Sequence, residues 1–135
     1  LARRLLEVTE ASLYAGIAQV KVGNRLGDVS HAIQQTVEQA GFGVIRDFVG
    51  HGIGRALHED PQIPNYGLPG QGPLLQAGMT LAIEPMVSAG NWEIKVLPDG
   101  WTAVTRDGSL AAHFEHTVAL TEEGVLILSR NASYN

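Results

Sequence analysis

Cysteine is absent from all 135 residues, which excludes disulfides and zinc–thiolate sites. No apolar run approaches the roughly 20 residues that a membrane-spanning helix needs. Basic residues are few and scattered, nine Lys and Arg against 14 Asp and Glu, for a net charge of -5. That balance offers no basic patch for a phosphate backbone, so neither nucleic acid nor membrane is an expected partner. There is no dinucleotide fingerprint, P-loop, nucleophile elbow or His-Glu-x-x-His, and no internal repeat or low-complexity stretch. The hydrophobic fraction of 44% and charged fraction of 17% lie far from disordered composition. A chain of this size can bury roughly two-thirds of its unfolded surface in one domain.

Two helical patterns open the chain. Leu6, Leu13, Ile17 and Val20 recur on one helical face over residues 2–20. After a break at Val22-Gly23-Asn24, Asp28 is the expected N-cap of a second helix, with Val29, Ile33, Val37 and Ala40 on its buried face and Gly41 at its C-terminal cap. The signal then changes. Val44 to Val49 reads as a strand, and Gly50-His51-Gly52-Ile53-Gly54 as a histidine loop. Pro61 to Pro73 reads as a long irregular loop, and Met79 to Val87 as a second strand. Pro98-Asp99-Gly100 is a turn between two short strands, and Ala112 to Leu120 reads as the last strand. The expected fold is α+β, two helices followed by a mostly antiparallel sheet.

Two glutamates fall inside these apolar strands, where carboxylates are disfavoured. Parity sets Glu84 on a face with Thr80 and Ala82, and Glu115 on a face with His113 and Thr117. A carboxylate placed there needs a partner, because burying it bare costs several kcal/mol. Either glutamate alone could pair with an Arg or cap a backbone donor. Two of them, in separate strands and near a histidine loop, point instead to a shared cation. One imidazole with several carboxylates suits Mn, Fe, Co or Zn, so His51, Glu84 and Glu115 form the candidate set. Such a cation polarises a carbonyl and activates water. His31 and His116 have no expected role in the chemistry, and His113 is a candidate neighbour of the ligands. Asn131-Ala132-Ser133 matches a glycosylation acceptor and is read as chance.

Several motifs carry a family resemblance: Gly50-His51-Gly52-Ile53-Gly54-Arg55 with His58-Glu59-Asp60-Pro61, Ile83-Glu84-Pro85-Met86, and Phe114-Glu115-His116-Thr117. In that order and spacing they resemble type I methionine aminopeptidase over nearly the whole chain. Creatinase- and prolidase-type relatives usually carry Glu-Pro-Gly where this chain has Glu84-Pro85-Met86, and a Glu-Asp pair where it has Glu115-His116.

The resemblance implies a metal-dependent aminopeptidase that removes the initiator methionine from nascent chains in the cytoplasm. It implies a dinuclear centre of Co, Mn, Fe or Zn, with His51 and Glu84 on one metal and Glu115 bridging both. His58 would contact the scissile amide and stabilise the tetrahedral intermediate, and Trp101 would border the substrate cleft. Leu57 stands where bacterial members often have Phe, which puts the packing of the methionine pocket in question. The family draws two further Asp ligands and one substrate-binding His from a segment upstream of Leu1. Residues 1–135 are therefore expected to be the C-terminal half of a pseudo-two-fold pita-bread domain. Such a half would bind at most one metal ion by itself and need the N-terminal half, or another chain, as partner. The alternative is a non-catalytic binding module or a swapped half-domain with the same fold.

Overall fold

In a computed structural model the described residues are 1–130; the Asn131-Ala132-Ser133 acceptor lies outside them. Helix α1 (Ala2–Ala18) packs against α2 (Leu26–Gln39). The buried face of α1 runs through Leu5, Thr9, Ser12, Leu13, Gly16 and Ile17. Leu6, expected on that face, is 51% exposed, whereas Leu5 is 2% exposed. Gly16 sets this rotation, since a Cβ there would come within 2.8 Å of Ile33 on α2, closer than real packing allows. The α2 face is as expected, with Val29, Ile33 and Val37 fully buried.

Asp28 is not the N-cap. The helix begins two residues earlier, with extended Arg25 as its cap, and Asp28 in the first turn accepts from the Arg25 backbone N–H at 2.8 Å. A second bond, from Gly70 N–H at 2.8 Å, ties the following loop to the same carboxylate. Both donors hold Asp28 below the usual carboxylate range. At the other end the Gly41 N–H bonds Glu38 and the Phe42 N–H bonds Val37, a Schellman ending with Gly41 at φ 84°.

Among the described residues ten short strands follow, all paired antiparallel. A five-stranded sheet has the order β10 (Gly124–Ile127), β9 (His116–Thr121), β4 (Thr80–Ile83), β2 (Gly50–Gly52), β3 (Glu59–Ile63). A three-stranded sheet has the order β1 (Gly43–Val44), β5 (Met86–Ser88), β8 (Ala111–His113). The hairpin β6 (Ile94–Val96) and β7 (Ala103–Thr105) stands apart, closed by Asp99, whose Oδ1 accepts from the Trp101 and Thr102 N–H groups.

Four expectations change here. The expected strand over Val44–Val49 shrinks to β1. The histidine loop is instead strand β2, clamped between β3 and β4. Glycine is required at both ends of β2, because a Cβ on Gly50 would collide with the Ala82 carbonyl and one on Gly52 with the Asp60 carbonyl. The expected irregular loop from Pro61 starts inside β3, an edge strand where proline is tolerated. Finally, neither long strand is continuous. Met79–Val87 divides into β4 and β5, and Ala112–Leu120 into β8 and β9, each strand crossing from one sheet to the other.

The two crossings lie opposite each other. Ile83 pairs with His116 on one side of the break, Met86 with His113 on the other, and the Phe114 N–H reaches the Pro85 carbonyl at 3.2 Å between them. The register is unchanged across the break, so Glu84 lies directly opposite Glu115. The α1/α2 face covers the sheets through a core that includes Leu13, Ile33, Leu81, Ile83, Val87 and Val118. Among the described residues no helix is long and apolar enough to cross a membrane.

Candidate metal centre

The site is built from three sequence-distant positions that the ladder brings together. His51 comes from the middle of β2, the immediate neighbour of β4. Glu84 and Glu115 come from the paired crossings. One ligand atom from each of the three lies within 4.8 Å of the others. Neither glutamate is in mid-strand as parity suggested, and the Glu84-Pro85 step shows why: Pro85 has no N–H to give a ladder and redirects the chain. Both carboxylates come within reach of His51.

Like charges directly opposite in a ladder repel. The electrostatics shows the consequence at Glu84, whose carboxyl is raised above its ordinary value of 4.5, first by burial and then by the facing Glu115 carboxylate. His51 opposes the shift, with Nε2 at 3.3 Å from Glu84 Oε2. On the other side of its ring, His51 Nδ1 lies 3.0 Å from the Gly52 carbonyl. That bond assigns the proton to Nδ1 and leaves Nε2 as the atom facing the carboxylates. A part-buried Glu84 carboxyl facing the exposed Glu115 carboxylate, with an imidazole nitrogen within reach of both, fits a divalent cation by charge and by donor type.

The other expected site residues fall at different distances from this cluster. His58, in the bend before β3, packs its ring against that of His51, with centroids 4.1 Å apart and planes tilted by 40°. The two histidines share a cleft of about 550 Å³ with Glu59, Asp60 and Gln62. Leu57, one residue earlier, is 68% exposed. Trp101 is 90% exposed at the tip of the β6–β7 hairpin and is not brought to the cluster. His113, expected only as a neighbour, has Nε2 at 3.7 Å from Glu84 Oε1. It also lines an 860 Å³ cavity with Ile45, Phe48, Met86 and Ile94. His116 takes no part in the cluster. It bonds Tyr14 Oη at 3.1 Å and Ser129 Oγ at 2.7 Å, fastening α1 and the turn after β10 to β9. His31 bonds the Gly67 carbonyl at 3.1 Å, on the far loop.

A residue that sequence reasoning passed over is Asn65. It is 1% exposed and its amide donates to the Glu84 carbonyl oxygen at 3.0 Å.

The raised Glu84 carboxyl carries a prediction with a definite sign. Folding makes Glu84 harder to ionise, so the metal-free fold bears the full penalty above the folded pKa and none well below 4.5, where the group is protonated in both states. Glu84→Gln should therefore raise the melting temperature of the metal-free chain at pH 7 by about 4 °C. The gain should shrink as the pH falls through the folded pKa and vanish below 4.5. Thermal melts of both proteins from pH 7.5 down to about pH 3.5 check this, and a gain of the same size at every pH would remove the electrostatic explanation.

An α+β ladder that turns one imidazole and two carboxylates onto a common point is a candidate site for a divalent cation. The chain belongs to metallopeptidase family M24, whose sequence pattern matches residues 1–122. It is 59% identical over 128 residues to methionine aminopeptidase 1 of Bacillus subtilis, covering 95% of this chain and 52% of that protein. The crystal structure of methionine aminopeptidase from Thermotoga maritima superimposes with a TM-score of 0.93 at 63% identity, over 96% of this chain and 52% of that one. The corresponding Rickettsia prowazekii structure gives 0.93 at 45% identity, with the same coverage of both chains. The expected α+β, half-pita-bread architecture is thus the one these structures have. The chain spans about half the length of the relatives it matches.

Proposed function

We propose that residues 1–135 supply the C-terminal half of a metal-dependent aminopeptidase that removes an N-terminal methionine from peptides and nascent chains in the cytoplasm. The observation that carries this is the meeting of His51, Glu84 and Glu115 within 4.8 Å. The similarity to methionine aminopeptidases supports the substrate.

His51, Glu84 and Glu115 would hold the cation, of the Mn, Fe, Co or Zn type, with Glu115 left to serve a second ion supplied with further ligands. A divalent cation supplies Lewis-acid polarisation of the scissile carbonyl and makes bound water acidic enough to attack at neutral pH. The chain's own groups do the rest. Glu84 and Glu115, close enough to share a proton, can take one from the attacking water and pass it to the leaving amine. His58 sits beside His51 in the same cleft, where its ring N–H can donate to the carbonyl oxygen as negative charge develops there. Leu57 is the proposed apolar contact for the substrate beside it, and Trp101, on the β6–β7 hairpin, is the proposed border of the substrate cleft.

Titration calorimetry with Mn²⁺ or Co²⁺ tests the centre. The 135-residue chain should take up one ion, weakly, and Glu84→Ala should lose that uptake. Two tight sites per chain, or binding that survives Glu84→Ala, would refute the ligand set.

A further inference from the structure

We infer that Asn65 is a positioning residue for this centre: its buried amide fixes the Glu84 peptide carbonyl and so sets how the Glu84 carboxylate faces Glu115 and His51. The inference rests on the metal-site reading above and extends it to a residue outside the ligand set.

The geometry is specific to the crossing. Glu84 is the last residue before Pro85, at a point where the ladder of β4 has ended and that of β5 has not begun. Pro85 has no N–H with which to hold the chain there. The Glu84 carbonyl is instead held by Asn65 Nδ2 at 3.0 Å. Asn65 itself lies two residues beyond the end of β3. That strand flanks β2, so one bond links the segment beside His51 to the backbone of Glu84. The Glu84 χ angles hang from this peptide plane, and a rotation of the plane would carry the carboxylate away from His51 Nε2.

The second observation is the other end of the amide. Asn65 Oδ1 is buried and meets no hydrogen-bond donor among the described residues. A buried acceptor left unpaired lowers stability, a cost that a leucine of nearly the same shape would avoid. Asparagine at this position is therefore poorly explained by stability alone and well explained by the single donor it aims at Glu84. Replacing it with Leu removes one unpaired group, Oδ1, and creates another, the Glu84 carbonyl. The fold should barely notice, and the metal centre should.

The experiment measures Mn²⁺ affinity by calorimetry and melting temperature in metal-free buffer for wild type, Asn65→Leu, Asn65→Ser and Val37→Ala. Val37 is fully buried in α2, away from the ligands, and serves as a control for stability loss alone. Asn65→Leu should keep its melting temperature within about 3 °C of wild type while its Kd for Mn²⁺ rises about tenfold. Asn65→Ser, whose hydroxyl is too short to reach the carbonyl, should lose affinity likewise, and it replaces the Leu variant if that one fails to fold. Val37→Ala should melt several degrees lower with its Kd unchanged. Affinities of both Asn65 variants within about twofold of wild type would overturn the inference, as would an equal loss in Val37→Ala. A wild-type chain that takes up no Mn²⁺ would sink the metal-site reading as well, so the two failures are told apart.

Discussion

Replacing His58 with Ala in this chain, once joined to its complementary half, should lower kcat about 10²- to 10³-fold while leaving the Kd for Mn²⁺ within about threefold. The separation of the two numbers is the point. The His58 ring lies 4.1 Å from that of His51, but it lies outside the group of side chains whose ligand atoms converge. It is exposed in the bend before β3 and lines the cleft on the open side of His51. A group so placed can meet a substrate carbonyl without holding the ion. Its N–H matters most when the carbonyl oxygen becomes negative, so its loss should appear in kcat more than in KM. His58→Gln keeps a donor of similar reach and should recover part of the rate. If His58→Ala weakens Mn²⁺ binding as much as it slows turnover, His58 acts through the ring it packs against, and the proposed role is wrong.

The candidate site residues stand out in the sequence, and much of the scaffold that presents them does not. His51 between glycines, and two glutamates in apolar surroundings, are visible because each breaks a local rule. What those rules could not show was the ladder. Parity treated Met79–Val87 and Ala112–Leu120 as single strands, whereas Pro85 and the Phe114-Glu115 step carry each from one sheet to the other. The pairing of Glu84 with Glu115 follows from a register between segments about thirty residues apart, which no local pattern encodes. Strand β2 was read as a loop because Gly-His-Gly has poor strand propensity. Only the close approach of β3 and β4 makes glycine the residue that fits. The expected helical face over residues 2–20 holds at Leu13, Ile17 and Val20, and only Leu6 gives way to Leu5, which looks equally apolar in the sequence. Strand β10 had a local signal that was passed over: Glu122-Glu123-Gly124, with Gly124 at φ 133°, is a turn before a short apolar run. Asn65 had none, since an asparagine among prolines and glycines reads as a turn residue.

The largest expected effect is that the 135-residue chain does not by itself hydrolyse methionyl peptides. The proposed reaction needs two cations roughly 3.5–4 Å apart, so that attacking and leaving groups are held together. The described residues bring three candidate ligands to one point, and Glu115 alone would remain for a second ion. The two aspartates that the resemblance assigns to the second cage lie upstream of Leu1. A single ion held by an imidazole and two carboxylates could still acidify water, but its position would be loose, and misplacement by 1 Å can cost about a hundredfold in rate. The cleft around His51 and His58 is open, so the substrate would also bind with less of its surface covered. Turnover of a Met-Ala-Ser peptide with Mn²⁺ or Co²⁺ should therefore fall by more than about a thousandfold relative to the reconstituted protein, the product of a missing cation and a loosened one. Activity should return when the complementary N-terminal segment of a methionine aminopeptidase is added or fused, and Glu84→Ala should abolish that recovery. Robust turnover by the 135-residue chain, lost in Glu84→Ala, would show that His51, Glu84 and Glu115 suffice and that the half-site reading is wrong.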